Sequence, residues 1–573
     1  MNIKVLNKVI FPVMFILIIA CSGNNNKQIE MPDHATAKEK PNPALTDWQN
    51  QKFSMFIHFG VYSVPAGVWK SQKIEGYNEQ IRAHGKISRE EYRDLAKTFN
   101  PSKWNPDSVV SLAKAAGMKS IVITSKHHDG FAMFHTKQSD FNIVDFTPYK
   151  RDIIKELSNA CKKQDLKFGV YFSLIDWDFP GALPISSNNS DSIPPSHHEL
   201  NLNQVKELMT NYGPISEIWF DMGKPTLEQS KELASLVRKH QPNCLISGRI
   251  WNGQGDFAVM GDNEAPDFRL GVPWQTIASF FWETWGYRSW QVREDVNKKA
   301  VEKLHTLLKV VSNGGKFMLN IGPMGNGEVV PYEKQILTML GEWIKKNGEA
   351  VYGTSPSPLP RQKWGVTTIK NQSLYLFVLN APQDGKILIE GLESTPKKAY
   401  LASDHSKSFN IKKHEGGYQL DISGSPSNDI VPAIVLEYEG QLQYTPSKMI
   451  ARSEQGPYEL TLDNGIKYHS YDGPEYYSAK PTVVALEWFI RPEETNYKLF
   501  IQSLPNDKGK KVKIYINGEE LESSLEGAPN QSLNKELALK NGQVNSIKIA
   551  LASPLNKHSD IGAEGLVLRI IKE

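Results

Sequence analysis

The chain has 573 residues, more than one hydrophobic core can hold, so two to four domains are expected. Its 40% hydrophobic and 23% charged content describe an ordinary globular protein. A net charge of +3 is close to neutral at this size and excludes the electrostatic footprint of a nucleic-acid binder or of a protein adsorbed on an anionic membrane.

The chain opens with Lys4 and Lys8, then an apolar run from Val9 to Ala20 broken only by Pro12. That run is short for a membrane span and reads as a signal peptide. It ends with Ala20 before Cys21 and resembles a bacterial lipoprotein signal, in which the cysteine becomes the lipidated N-terminus. Ile18 stands where such signals usually have Leu. Plain secretion with an incidental cysteine is the competing reading. Residues 1–21 are thus read as the signal and 22–44, polar and rich in Asn, Lys and Pro, as a flexible tether. The protein is expected to be exported and lipid-anchored in the bacterial envelope, at the periplasm or outer membrane, touching the membrane only through that anchor. The two remaining cysteines, Cys161 and Cys244, make no disulfide framework, and buried free thiols are expected.

Residues 45–354 alternate strand-like and helix-like runs. SMFIHFG, SIVITSKHH, KFGVYFSLIDW, EIWFD, CLISGRI and KFMLNIG are apolar and β-rich. Amphipathic stretches such as RDIIKELSNACKKQ and LEQSKELASLVRKH lie between them. This rhythm predicts a parallel (β/α)8-like barrel, with an open doubly wound sheet as runner-up. No Gly-x-Gly-x-x-Gly or P-loop stretch marks a nucleotide site.

The strand ends carry the chemistry. Successive apolar runs finish at His58, at His127 and His128, near Tyr171, Ser173 and Asp176, at Asp221, and at Arg249. One such residue is easily structural, and Asp221 alone reads equally well as a cap for the helix starting near Leu227. Five in register would line a polar pocket at the C-terminal mouth of a barrel. His, Tyr and Arg beside a carboxylate suit a hydroxyl-rich ligand. Adjacent residues of a strand point to opposite faces, so the pair His127 and His128 is not expected to bind one metal ion.

MFIHFGVYSVPAGVW, TSKHHDGFAMFHTKQSDFNIVDFTPYKRDIIKEL, EIWFD, WETWGYRSW and SNGGKFMLNIGPMGNGEV with NGEAVYGT together resemble glycoside hydrolase family 29, the α-L-fucosidases, from about Trp48 to Thr354. The resemblance implies a barrel, retaining exo-hydrolysis of α-L-fucosides on fucosylated glycans, and neither metal nor organic cofactor. It assigns Asp221 as nucleophile, His58, His127 and His128 as fucose-binding histidines, and Tyr171 and Arg249 as pocket residues. Trp69 matches the aromatic after SVPA, and Trp285 and Trp290 lie where the family covers the sugar's methyl group. A retaining enzyme needs a second carboxyl group about 5–5.5 Å from the nucleophile. Glu264, in GDNEAPDF, is the favoured acid/base, with Glu283, in FFWETWGY, and Asp267 as alternatives. Many members have an acidic residue where this chain has Val68, and Met222 separates Asp221 from Gly223, so a differently shaped turn is expected there.

Residues 355–440 change to short alternating runs and predict a β-sandwich; residues 441–573 predict a further small all-β domain. Tyr458, Tyr468, Tyr471, Tyr476 and Tyr477 form a sugar platform on one reading and strand packing on the other, with a structural role as the default. Two alternatives to the fucosidase stay open: a retaining glycosidase for a related sugar such as a galactoside, and a catalytically weak glycan-binding lipoprotein. The oligomeric state is not legible.

Overall fold

The computed structural model describes residues 42–181, 185, 191–266, 269–423, 430–452, 456–470, 482–494, 496–533, 537–552, 561 and 565–572. The signal segment with Cys21, most of the tether, Asp267, Tyr471, Tyr476 and Tyr477 lie outside them. A helix, Pro43–Gln51, begins at the end of the segment read as tether.

Eight parallel strands form the first sheet: β1 (Phe53–Ile57), β2 (Ser120–Lys126), β3 (Lys167–Ser173), β4 (Glu217–Asp221), β5 (Leu245–Ile246), β6 (Ala258–Val259), β7 (Trp274–Ala278) and β8 (Lys316–Ile321). Around the sheet the order is β5-β4-β3-β2-β1-β8-β7-β6. A parallel bridge between Ser247 and Phe257 joins the two edge strands, so the sheet closes as a barrel.

The period-2 pattern of each strand explains which side chains go where. Phe56, Val122, Tyr171, Trp219, Ile277 and Met318 pack together as one cluster inside the barrel. Their neighbours Met55, Ile57, Ile121, Ile123, Val170, Phe172, Ile218 and Phe220 belong to a second cluster with the helices. That cluster takes the apolar faces of α1 (Ile153–Lys163) through Ile153, Ile154 and Leu157 and of α2 (Leu227–His240) through Leu233, Ala234 and Val237. Both helices have side-chain N-caps. Asp152 accepts from the Lys155 N–H, and Thr226 forms a reciprocal capping box with Gln229. The cap of α2 is therefore Thr226 and not Asp221, which removes the structural role that competed with catalysis.

Cys161 and Cys244 are buried free thiols, as expected. Beyond the barrel, residues 355–438 form six- and three-stranded antiparallel sheets. Leu374 and Leu376 of one share a core with Ile387, Ile389 and Leu420 of the other. The C-terminal residues form a four-stranded sheet and five strands of a six-stranded one around a separate core that includes Leu460, Leu499, Leu486 and Ile547. Tyr458 is 4% exposed and sits in that core, which fits strand packing rather than a sugar platform.

Candidate active site

Asp221 ends β4, and its carboxylate reaches the mouth of the barrel on the face that Glu217 and Trp219 share. Tyr171 Oη donates to Asp221 Oδ2 at 2.8 Å, and Arg249 Nη1 donates to Oδ1 at 2.9 Å. Burial alone would raise the carboxyl pKa. The Arg249 charge and the hydrogen bonds from Arg249 and Tyr171 outweigh burial and hold it below the ordinary value. Asp221 is therefore an anion at neutral pH. Burial drives the Tyr171 pKa well up, so its hydroxyl keeps the proton it donates.

The turn after Asp221 departs from extended geometry. Met222 has φ 60° and Gly223 φ 75°. The left-handed conformation is unfavourable for a methionine by about 1–2 kcal/mol. Trp251 Nε1 donates to the Gly223 carbonyl at 2.9 Å and pins the turn, while Met222 packs with Ile175 and Trp177.

Three histidines face the carboxylate. His58 follows β1, and its Nδ1 lies 2.7 Å from Asn320 Oδ1. His127 and His128 follow β2, with His128 Nδ1 2.8 Å from Ser173 Oγ. Their rings lie 3.9 Å apart, centroid to centroid, and both line one cavity. The expectation of opposite faces fails because the pair lies past the strand end, where pleat alternation no longer applies. The following Gly130 (φ 84°) closes the turn; a Cβ there would lie 2.0 Å from Asp176 Oδ1. Burial drives the His58 and His128 pKa down to about 4 and that of His127 well below the ordinary value. All three are neutral at pH 7 and can donate and accept. Among the described residues His127 Nδ1 has no protein partner, although it is buried.

The cavity has a volume of about 290 Å³ and is lined by these groups with Tyr77, Glu79, Gln80, Trp219, Asp262 and Trp285. Of the residues expected at the site, Asp221, His58, His127, His128, Tyr171, Arg249 and Trp285 come together around it. Trp69 does not line it. That residue is half-buried in a hairpin, Val68–Trp69 against Gln72–Lys73. Trp290 also stays outside, its Nε1 donating to the Gly67 carbonyl at 2.8 Å. Glu264 is exposed on the turn after Asp262, its carbonyl accepting from Thr276 Oγ1 at 3.0 Å. Glu283, with a side chain 58% exposed, accepts from Gln291 Nε2 at 3.2 Å. Neither glutamate lines the cavity.

Two carboxyl groups that sequence reading missed do line it. Asp262 Oδ1 accepts from Arg249 Nη2 at 2.9 Å, so one guanidinium holds both Asp221 and Asp262. Glu79 is 2% exposed and accepts from the backbone N–H of Trp285 at 3.1 Å and of Gly286 at 2.9 Å. Burial pushes its pKa up to about 7 against those two donors. Val68 carries no carboxyl group, and Glu79 brings one into the cavity from a point eleven residues further along the chain. Among the described residues no group of three or more His, Cys, Asp or Glu is arranged to hold a metal ion.

A closed parallel barrel with an ionised carboxylate and hydroxyl-binding groups in one cavity at its C-terminal mouth defines a barrel enzyme. The α-L-fucosidase family model matches residues 17–349, and the chain belongs to that family of glycoside hydrolases. It is 29% identical over 383 residues to a tissue α-L-fucosidase of Bos taurus, covering 62% of this chain and 78% of that protein. An α-L-fucosidase of Vibrio sp. strain EJY3 superposes with a TM-score of 0.64 at 27% identity, over 93% of this chain and 98% of its own. A family 29 α-L-fucosidase of Bacteroides thetaiotaomicron, solved as a trapped covalent intermediate with 2-fluoro-fucosyl fluoride, matches with a TM-score of 0.63 at 25% identity, over 70% of this chain and 97% of its own.

Proposed function

We propose that this protein is a retaining exo-α-L-fucosidase that releases L-fucose from fucosylated glycans, with Asp221 as nucleophile and, as acid/base, Glu264, which stands two residues past the cavity-lining Asp262 and has to turn inward to act. The observation that carries this reading is the Asp221 carboxylate, held ionised at the cavity by Arg249 at 2.9 Å and Tyr171 at 2.8 Å. An Asp221 oxygen attacks the anomeric carbon as the bond to the leaving oxygen breaks, and Glu264 gives that oxygen its proton. The product is a fucosyl ester on Asp221. Glu264, now ionised, takes a proton from water; the water oxygen attacks the same carbon, and Asp221 leaves as the carboxylate. The trapped intermediate of the Bacteroides relative supports a covalent route. The neutral His58, His127 and His128 are suited to sugar hydroxyls, and Trp285 offers an apolar wall. At about 290 Å³ the cavity lies at the small end of the about 300–1,000 Å³ range of ligand pockets, which favours one terminal sugar over an internal segment.

Hydrolysis of an aryl α-L-fucoside by wild type and by Asp221→Ala tests the reading. Wild-type turnover lost in the variant is the expected outcome. Wild-type inactivity on fucosides with turnover of α-galactosides would transfer the mechanism to another sugar, and equal activity of the two proteins would remove Asp221 as nucleophile.

We also infer from Lys4, Lys8, the apolar run Val9–Ala20 and Cys21 that the protein is exported and anchored by a lipid on Cys21. Cys21→Ser is expected to move it from the membrane fraction to the soluble fraction of the producing cell. An unchanged distribution would remove the anchor.

A further inference from the structure

Glu264 sits on a segment tied to two different domains. At its front the segment is fixed to the barrel: Asn263 N–H donates to the Ile277 carbonyl at 3.0 Å, the Asn263 side chain accepts from the Ser279 N–H at 2.8 Å, and Thr276 Oγ1 donates to the Glu264 carbonyl at 3.0 Å. Five residues beyond Glu264 the attachment changes. Arg269–Leu270 forms a short strand that pairs in parallel with the C-terminal strand Ile466–Ser470, Arg269 opposite Tyr468 and Leu270 opposite His469. Gly271 N–H then donates to the His469 carbonyl at 3.0 Å. The barrel segment is thus the outermost strand of the six-stranded C-terminal sheet. Its partner is itself paired with the long strand Thr482–Ile490, so it is a fixed member of that sheet.

The close approach depends on Gly271. A Cβ there would lie 2.8 Å from Val484 Cγ2 and 3.2 Å from the Tyr468 Cβ. Leu270, on the other side of the junction, packs against the barrel core. Main-chain pairing of this kind holds a segment along the edge of a sheet, and the packing of Leu270 helps set its register. An acid/base group needs such fixing, since a misplacement of about 1 Å can cost about 10²-fold in rate.

We propose that the C-terminal domain is a positioning element for the acid/base loop, holding the Glu264 segment through the pairing of Arg269–Leu270 with Tyr468–His469. The inference rests on the reading of Glu264 as the acid/base, and the test separates the two.

The test uses the full chain and kcat/KM, which reports the first covalent step, on two substrates. α-L-Fucosyl fluoride leaves without a proton; a simple alkyl α-L-fucoside needs one. Glu264→Gln sets the reference and is expected to lose about 10²–10⁴-fold on the alkyl fucoside with little loss on the fluoride. Gly271→Val, which forces the junction apart, is expected to lose at least about tenfold on the alkyl fucoside while staying within about threefold of wild type on the fluoride. Gly271→Ala serves if the valine variant fails to fold by thermal melting. Adding Val484→Ala to Gly271→Ala removes the nearest clashing atom and is expected to restore alkyl fucoside turnover. Equal loss on both substrates, or no loss on either, overturns the positioning role. If Glu264→Gln itself shows no leaving-group dependence, the acid/base reading fails and the inference falls with it.

Discussion

Strand β4 carries a carboxylate toward each end of the barrel interior, and the two have opposite fates. Glu217, at the N-terminal end, is fully buried. Lys316 donates to it at 3.0 Å and Trp48 Nε1 at 2.8 Å, and both ionic side chains are 0% exposed. Asp221, four residues on and on the same face, also meets a cation, but its side chain is 14% exposed and opens on the cavity. Trp219 lies between them, Nε1 donating to Gln275 at 2.9 Å. A carboxylate enclosed by protein is structural; one that opens on a cavity can meet another molecule and do chemistry. Barrels separate stability and catalysis between their two ends in this way.

Asp221→Ala should lower aryl fucoside turnover by about 10⁴-fold or more, as loss of a nucleophile does elsewhere. The melting temperature should change little, because Arg249 keeps Asp262 and the Met260 carbonyl as partners. Glu217→Ala should do the reverse. It leaves Lys316 buried without its carboxylate, which costs about 3–5 kcal/mol. Urea unfolding should show that loss, and kcat of the folded enzyme should stay near wild type. A catalytic loss in Glu217→Ala without destabilisation would sink the division between the two ends.

Glu79 is a third case, a carboxyl group that is buried yet lines the cavity. Burial raises its folded-state pKa to about 7, above the unfolded value of 4.5. Between those values the folded protein holds a proton that the unfolded chain has released. Stability from this group is therefore greatest at the low end of that window and declines as pH rises toward 7. Glu79→Gln removes the titration. The melting temperature of the variant relative to wild type should rise from pH 5 to pH 8, a difference that cancels the other raised carboxyl groups, Asp129, Asp178 and Glu333. A constant difference across that range would show that Glu79 titrates like an exposed glutamate.

Strand-end residues were the legible part of the site. Asp221, His58, Tyr171 and Arg249 end apolar runs, and a parallel barrel sends those ends to one face. Glu79 was not legible. It lies in a short 3-10 turn, Asn78–Gln80, where no periodicity marks a side chain as buried, and its partners are backbone N–H groups 206 and 207 residues away in the chain. Asp262 is a turn residue whose meaning comes only from Arg249. Trp69 sits in a short hairpin and is not among the residues that line the cavity. The β character of residues 441–573 was legible from alternation. The pairing of Leu270 with His469 was not, since a two-residue strand gives no pattern and main-chain hydrogen bonds carry no sequence signature.

The smallest expected effect separates the two glutamates. Glu283 is exposed, accepts a hydrogen bond from Gln291, and lies 4.0 Å from Arg288. Exposed contacts of this kind contribute less than about 1 kcal/mol, so Glu283→Gln should change kcat/KM on any fucoside by no more than about fivefold. Its loss should be the same for good and poor leaving groups, because it removes no proton donor. Azide should then give Glu283→Ala no gain, whereas in Glu264→Ala it should take the place of activated water, attack the fucosyl ester and raise turnover. If azide rescues Glu283→Ala instead, the acid/base rides on the segment after β7, and the junction at Gly271 no longer bears on catalysis.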